Sequence, residues 1–135
     1  MPLDPAKIRD MAERYTEAWC SRFAEAVSSF LEENGKSIVS DGPPAVGRTA
    51  IAEAMAAFFA DFPDLVLHKD DLRSGGNKAI FLWTLEGTNS GSGGTGNFVR
   101  IGGWQNWRFS DDFLVIEADG GFDSVEYERQ IREGL

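Results

Sequence analysis

The sequence predicts an α+β domain in which three N-terminal helices pack on a strongly curved, mostly antiparallel sheet. Two observations carry that reading. The apolar spacing changes from a helical to a strand period near residue 65. The strands beyond that point are too few and too long for a doubly wound parallel fold, and they follow one another as a meander. The length of 135 residues suits one domain spanning 1–135, and a hydrophobic content of 42% suffices for one core.

Each element has its local reason. Asp4-Pro5 reads as an N-cap followed by proline at the first helical position. Ile8, Met11, Ala12, Tyr15 and Trp19 then recur at helical spacing, giving a helix from Pro5 to Cys20. Ser21 can cap a second helix with the stripe Phe23, Val27, Phe30 and Leu31, stopped by Asn34-Gly35. Lys36–Ser40 is enough for a short strand only, and Asp41-Gly42-Pro43-Pro44 must turn because its prolines lack backbone donors. Thr49 can cap a third helix carrying Ile51, Met55, Phe58, Phe59 and Phe62, which Pro63 closes.

Strands are expected over Leu65–Leu72, Ala79–Glu86, Phe98–Phe109 and Phe113–Phe122, with turns at Gly75-Gly76-Asn77 and Ser110-Asp111-Asp112. Thr88–Asn97 reads as a flexible hairpin at a pocket rim or subunit edge. Gly102-Gly103 inside a long strand signals a bulge, a sharp bend or a close approach to another group. The acidic tail Asp123–Leu135 can form a short terminal helix.

Composition excludes several functions. Thirteen basic against 22 acidic residues leave a net charge of −9, a surface that repels phosphate backbones, so nucleic acid is not an expected partner. No run approaches the ~20 apolar residues of a membrane span. Met1–Asp10 lacks the apolar core of a signal peptide, so a cytoplasmic location is expected. One cysteine and one histidine allow neither a disulfide framework nor the usual zinc sets. No metal and no cofactor is expected.

The motifs Tyr15–Trp19, Ser40-Asp41-Gly42 through Val46-Gly47-Arg48, Phe62-Pro63-Asp64-Leu65, Trp83-Thr84 through Gly87–Gly91, Gly102–Phe109 and Gly121-Phe122-Asp123 follow one another in a characteristic order. Together they resemble the SnoaL-like, polyketide cyclase-like group of the nuclear transport factor 2-like superfamily, which includes ketosteroid isomerase, scytalone dehydratase and limonene epoxide hydrolase. The resemblance covers nearly the whole chain. It implies a cone-shaped fold with a deep apolar cavity and a homodimer formed through the convex sheet face. It also implies a cofactor-independent isomerase, cyclase or hydrolase working by general acid/base chemistry. The alternatives are a noncatalytic small-molecule binder and a protein-interaction module.

By the same resemblance, Tyr15 matches the oxyanion donor of the isomerase relatives. Their two carboxylate positions carry Ser40 and Gln105 here. Glutamine orients a carbonyl or a water but exchanges no proton near neutrality. The local candidates for a base are therefore Asp41, beside Ser40, and His68, the single histidine of the chain. Each has a plainer alternative: a turn carboxylate for Asp41, a surface or structural histidine for His68. Asp61, Asp64, Asp70 and Asp71 read as solvated, and Cys20 as a buried thiol.

Strand alternation groups Phe81 with Trp83, and Gln105 with Trp107, while Ala118 and Phe122 share a face of the last strand. With Tyr15 and Trp19 of the first helix, these side chains are expected to line one pocket for a small apolar or polycyclic ligand. Trp104 falls on the opposite face, a candidate dimer anchor.

Overall fold

The computed structural model describes residues 3–40 and 42–135. Asp41 lies outside the described residues. Helix α1 spans Pro5–Ser21, opened by Asp4, whose side chain accepts the Ala6 N–H at 2.9 Å. A short α2 (Ala24–Ser28), strand β1 (Leu31–Val39), a two-residue β2 (Ala45–Val46) and α3 (Arg48–Asp61) follow. Strands β3 (Val66–Gly75), β4 (Lys78–Thr88), β5 (Phe98–Phe109) and β6 (Val115–Phe122) precede a final helix α4 (Ser124–Glu133).

The strands form one sheet in the order β2-β1-β6-β5-β4-β3. Every pairing is antiparallel except β1 with β6, which is parallel. The expected strongly curved cone is therefore corrected. The sheet is open and mixed, with β2 and β3 as its edges. One physical reason lies in β4–β5, where all eleven residues of β4 pair without a register shift, Gly102 and Gly103 included. Strong bending is built by bulges or kinks, and the paired glycines insert neither an extra residue nor a slip.

The second helix and first strand also differ from expectation. The helix ends at Ser28, and Leu31 opens a nine-residue strand. Asn34-Gly35 lies within that strand, where its pairing with β6 shifts register between Leu31 and Lys36. Ile8, Met11, Ala12, Tyr15, Ala18 and Trp19 turn the buried face of α1 into the core formed with the sheet.

The Gly-rich segment after β4 is tied down rather than free. Asn89 is buried, and its Oδ1 accepts from the Thr95 N–H at 2.9 Å. Gly91 N–H donates to Asp61 O at 3.3 Å, joining the loop to the end of α3. Asn97 Nδ2 donates to Ile131 O at 2.8 Å, joining it to α4.

Helix α4 covers an open stretch of β5. β6 pairs with β5 only from Gly103 onward, so Arg100 N–H would lack a partner on that side. Buried Gln130 accepts it through Oε1 at 2.7 Å. Glu126 holds this turn of the helix: hydrogen bonds from Arg129 and then Gln130 pull its carboxyl from 4.5 to about 2. A carboxyl depressed on folding stabilises fully above its unfolded pKa, and that contribution is lost as pH falls toward the folded value. Amide protection factors in α4 should therefore drop between pH 4.5 and about 2, ahead of those in β4 and β5. Unchanged α4 protection across that window would contradict the linkage.

Candidate functional site

Between α1, α3, α4 and the covered face of the sheet lies a cavity of about 50 Å³. Tyr15, Phe81 and Leu85 wall its buried part, while partly exposed Trp83, Phe122 and Tyr127 mark its open side. Strand register assembles the floor: Phe81 pairs with Gln105 and Gln105 with Gly120, while Trp83 pairs with Gly103 and Gly103 with Phe122. The glycine at 103 leaves space that the Trp83 indole takes, since a Cβ there would lie 2.3 Å from Trp83 Cζ2.

The polar centre is a short chain of hydrogen bonds. Tyr15 O–H donates to Gln105 Oε1 at 3.0 Å, and Trp107 Nε1–H donates to the same oxygen at 2.7 Å. Burial raises the Tyr15 pKa above its ordinary 10.0, opposed by hydrogen bonds to Trp19 and Gln105. Burial and then the Asp61 charge push Tyr127 up to about 12. Both lining tyrosines therefore stay protonated near neutrality.

Of the residues singled out from sequence, Tyr15, Trp19, Phe81, Trp83, Gln105 and Phe122 all line this cavity. Trp107 and Ala118 do not. Trp107 stacks behind Phe81, ring centroids 4.8 Å apart, and Ala118 sits beside it across the β5–β6 pair. Both belong to solid core. His68 is also outside the cavity: it is exposed on β3 and pairs with Glu86. Its neighbour Leu67 lines the cavity instead. The alternation of buried Leu65 and Leu67 carried that signal, because Val66 and His68, next to them along the strand, must face the other way. The Glu86 carboxyl is lowered by the His68 hydrogen bond first and by Arg100 next.

The remaining candidates have local duties. Asp64 accepts the Thr88 N–H at 2.7 Å. Asp70 accepts from the Thr84 hydroxyl and Asp71 from the Leu72 N–H. Cys20 Sγ donates to Leu67 O at 3.2 Å. Among the described residues no group of three or more His, Cys, Asp or Glu side chains could hold a metal ion, and no helix is long and apolar enough to cross a membrane.

Sequence reasoning missed Ile38, Val39, Met55, Phe58 and Tyr127 as cavity residues, and Trp104, which parity places on the opposite face and which is 45% exposed, also reaches the lining. It also missed the state of Ser40. This residue has φ 52°, in the left-handed region, and its buried Oγ has no hydrogen-bond partner among the described residues.

Fold and site together define a class: an α+β domain whose helices cover one face of a mixed sheet and enclose an aromatic cavity with a few polar groups. Residues 12–117 match the SnoaL-like domain, and the chain belongs to that family. Solved structures share the fold at low identity. A protein described as a SnoaL-like polyketide cyclase from Jannaschia sp. CCS1 is 15% identical, with a TM-score of 0.84 over 100% of this chain and 99% of that one. TsrD from Streptomyces laurentii is 19% identical, with a TM-score of 0.82 over 98% and 99%. TerC, co-crystallised with polyporic acid, is 16% identical, with a TM-score of 0.77 over 90% and 95%. No functionally curated protein matches the chain.

Proposed function

We propose that this protein binds a small, neutral, largely apolar compound in the cavity beneath α1. The observation that carries the reading is the lining itself. It is apolar and aromatic, and among the described residues it includes no carboxylate, imidazole, ammonium or guanidinium group. A charged ligand would lose its hydration there without a counter-charge. The co-crystal of TerC with polyporic acid supports an organic ligand for this fold.

Acid/base turnover, as in an isomerase, cyclase or hydrolase, is the second reading. One observation favours it: Val39 and Gly121 line the cavity, and Ser40, bonded to Gly120 O at 2.7 Å, leads directly into Asp41. A ligand screen followed by a turnover assay separates the two. Binding without turnover is the expected result. If turnover is found, Asp41→Asn should reduce it ~10²-fold or more, and an unaffected rate would remove Asp41 as the base.

The reading extends to a homodimer through the outer sheet face and to a cytoplasmic setting. The free thiol of Cys20 supports the latter. The former is supported by Ile80, Leu82 and Trp104, which are 46%, 37% and 45% exposed on adjoining positions of that face. Trp104→Ala should weaken self-association by ~2 kcal/mol or more. Sedimentation equilibrium checks this, and a wild-type monomer at micromolar concentration would refute it.

A further inference from the structure

Resting on the small-molecule reading above, we propose that Gln105 selects the ligand. Its Nε2 amide donates to a carbonyl-type oxygen, and Tyr15 is a positioning residue that holds the amide and not the donor to the ligand. The resemblance implied the opposite assignment, with Tyr15 as donor.

The wiring around Gln105 decides between them. An indole N–H can only donate. The Gln105 atom that faces Trp107 Nε1 at 2.7 Å is therefore its oxygen, and the amide cannot be turned over without setting two donors against each other. Tyr15 Oη approaches that same oxygen at 3.0 Å, so its proton also points at Gln105. What remains is Gln105 Nε2, which makes no hydrogen bond among the described residues, on a side chain that lines the cavity. Its surroundings, Phe81 and the bare backbone of Gly120, offer it no acceptor side chain.

A donor that lines an apolar cavity without a protein partner favours a ligand that brings an acceptor. With no cation in the described lining, that acceptor belongs to a neutral group such as a ketone, quinone or lactone rather than a carboxylate. The apolar walls take the hydrocarbon part of the same molecule.

The test uses three probes of one shape, 1-indanone, indane and indane-1-carboxylate, titrated into the ¹⁵N-labelled protein by NMR. The ketone should bind about tenfold more tightly than indane, the value of one hydrogen bond to a neutral group, and the carboxylate no better than indane. The Gln105 side-chain amide protons should move downfield with the ketone and stay in place with indane. Tyr15→Phe should weaken ketone and hydrocarbon by a similar factor, keeping the preference, whereas Gln105→Leu should abolish it. Should Gln105→Leu fail to fold, the wild-type amide shift decides. Equal binding of ketone and indane would overturn the assignment and leave the binding reading intact. Loss of the preference in Tyr15→Phe, or tighter binding of the carboxylate, would also overturn it. Binding of no probe would overturn the cavity reading together with this inference.

Discussion

Trp107→Ala should lower the free energy of unfolding by ~4 kcal/mol, within the range for removing a large aromatic from a packed core. Trp107 is 2% exposed and stacks on Phe81 with an interplanar angle of 15°. Tyr15 meets its face edge-on, with centroids 5.1 Å apart. Its neighbours across the sheet are Ala79 and Ala118, so no large side chain on the adjoining strands can refill the space. Trp107→Phe separates volume from hydrogen bonding. It should recover most of the loss, leaving about 1 kcal/mol for the missing N–H donor. It should also blunt the ketone preference, because the Tyr15 hydroxyl, which can accept as well as donate, would no longer determine which end of the Gln105 amide faces the cavity. Urea unfolding of the three proteins measures the first effect. A loss below about 1 kcal/mol for Trp107→Ala would mean that this layer is not close-packed.

Gly103→Ala should cost ~2–3 kcal/mol, while Gly102→Ala beside it should cost under ~1 kcal/mol. The two glycines differ in what a new Cβ would meet. At 103 it would stand 2.3 Å from Trp83 Cζ2 and 2.5 Å from the Gly121 carbonyl oxygen. The indole can swing aside, but the carbonyl belongs to the neighbouring strand and cannot. At 102 the nearest atom is 3.6 Å away, an ordinary contact. Displacing Trp83 also changes a cavity wall, so Gly103→Ala should weaken binding of any apolar probe as well as lower stability. Equal thermal shifts for the two variants would contradict this account.

Elements that build themselves locally were legible in the residues. α1 has an aspartate cap, a proline at its first position and a five-residue apolar stripe, and it forms over Pro5–Ser21. β4 and β5 are bounded by strong breakers and carry aromatic and β-branched residues. β1 was not legible, because its reason lies far away in the chain. Leu31–Val39 contains Asn34-Gly35, a local turn signal, yet extends beside β6 because residues 115–120 supply its hydrogen bonds. The same holds for the open shape of the sheet: glycines that locally suggest a bend keep a straight register because both pair with β4, and Gly103 with β6 as well.

The candidate site divides along the same line. Alternation and helical spacing determined which residues share a face, and so brought Tyr15, Trp19, Phe81, Trp83, Gln105 and Phe122 into one group. Parity names a face but no depth, so it could not separate Phe81, at the cavity wall, from Trp107 behind it. Nor could it supply Tyr127, whose place depends on α4 docking through Gln130 onto an uncovered backbone N–H of β5. The direction of the hydrogen bonds at Gln105 was decided by tertiary structure alone. Two side chains 92 residues apart in sequence, Tyr15 and Trp107, converge on one oxygen, and because an indole can only donate, that convergence determines which end of the amide is left for a ligand.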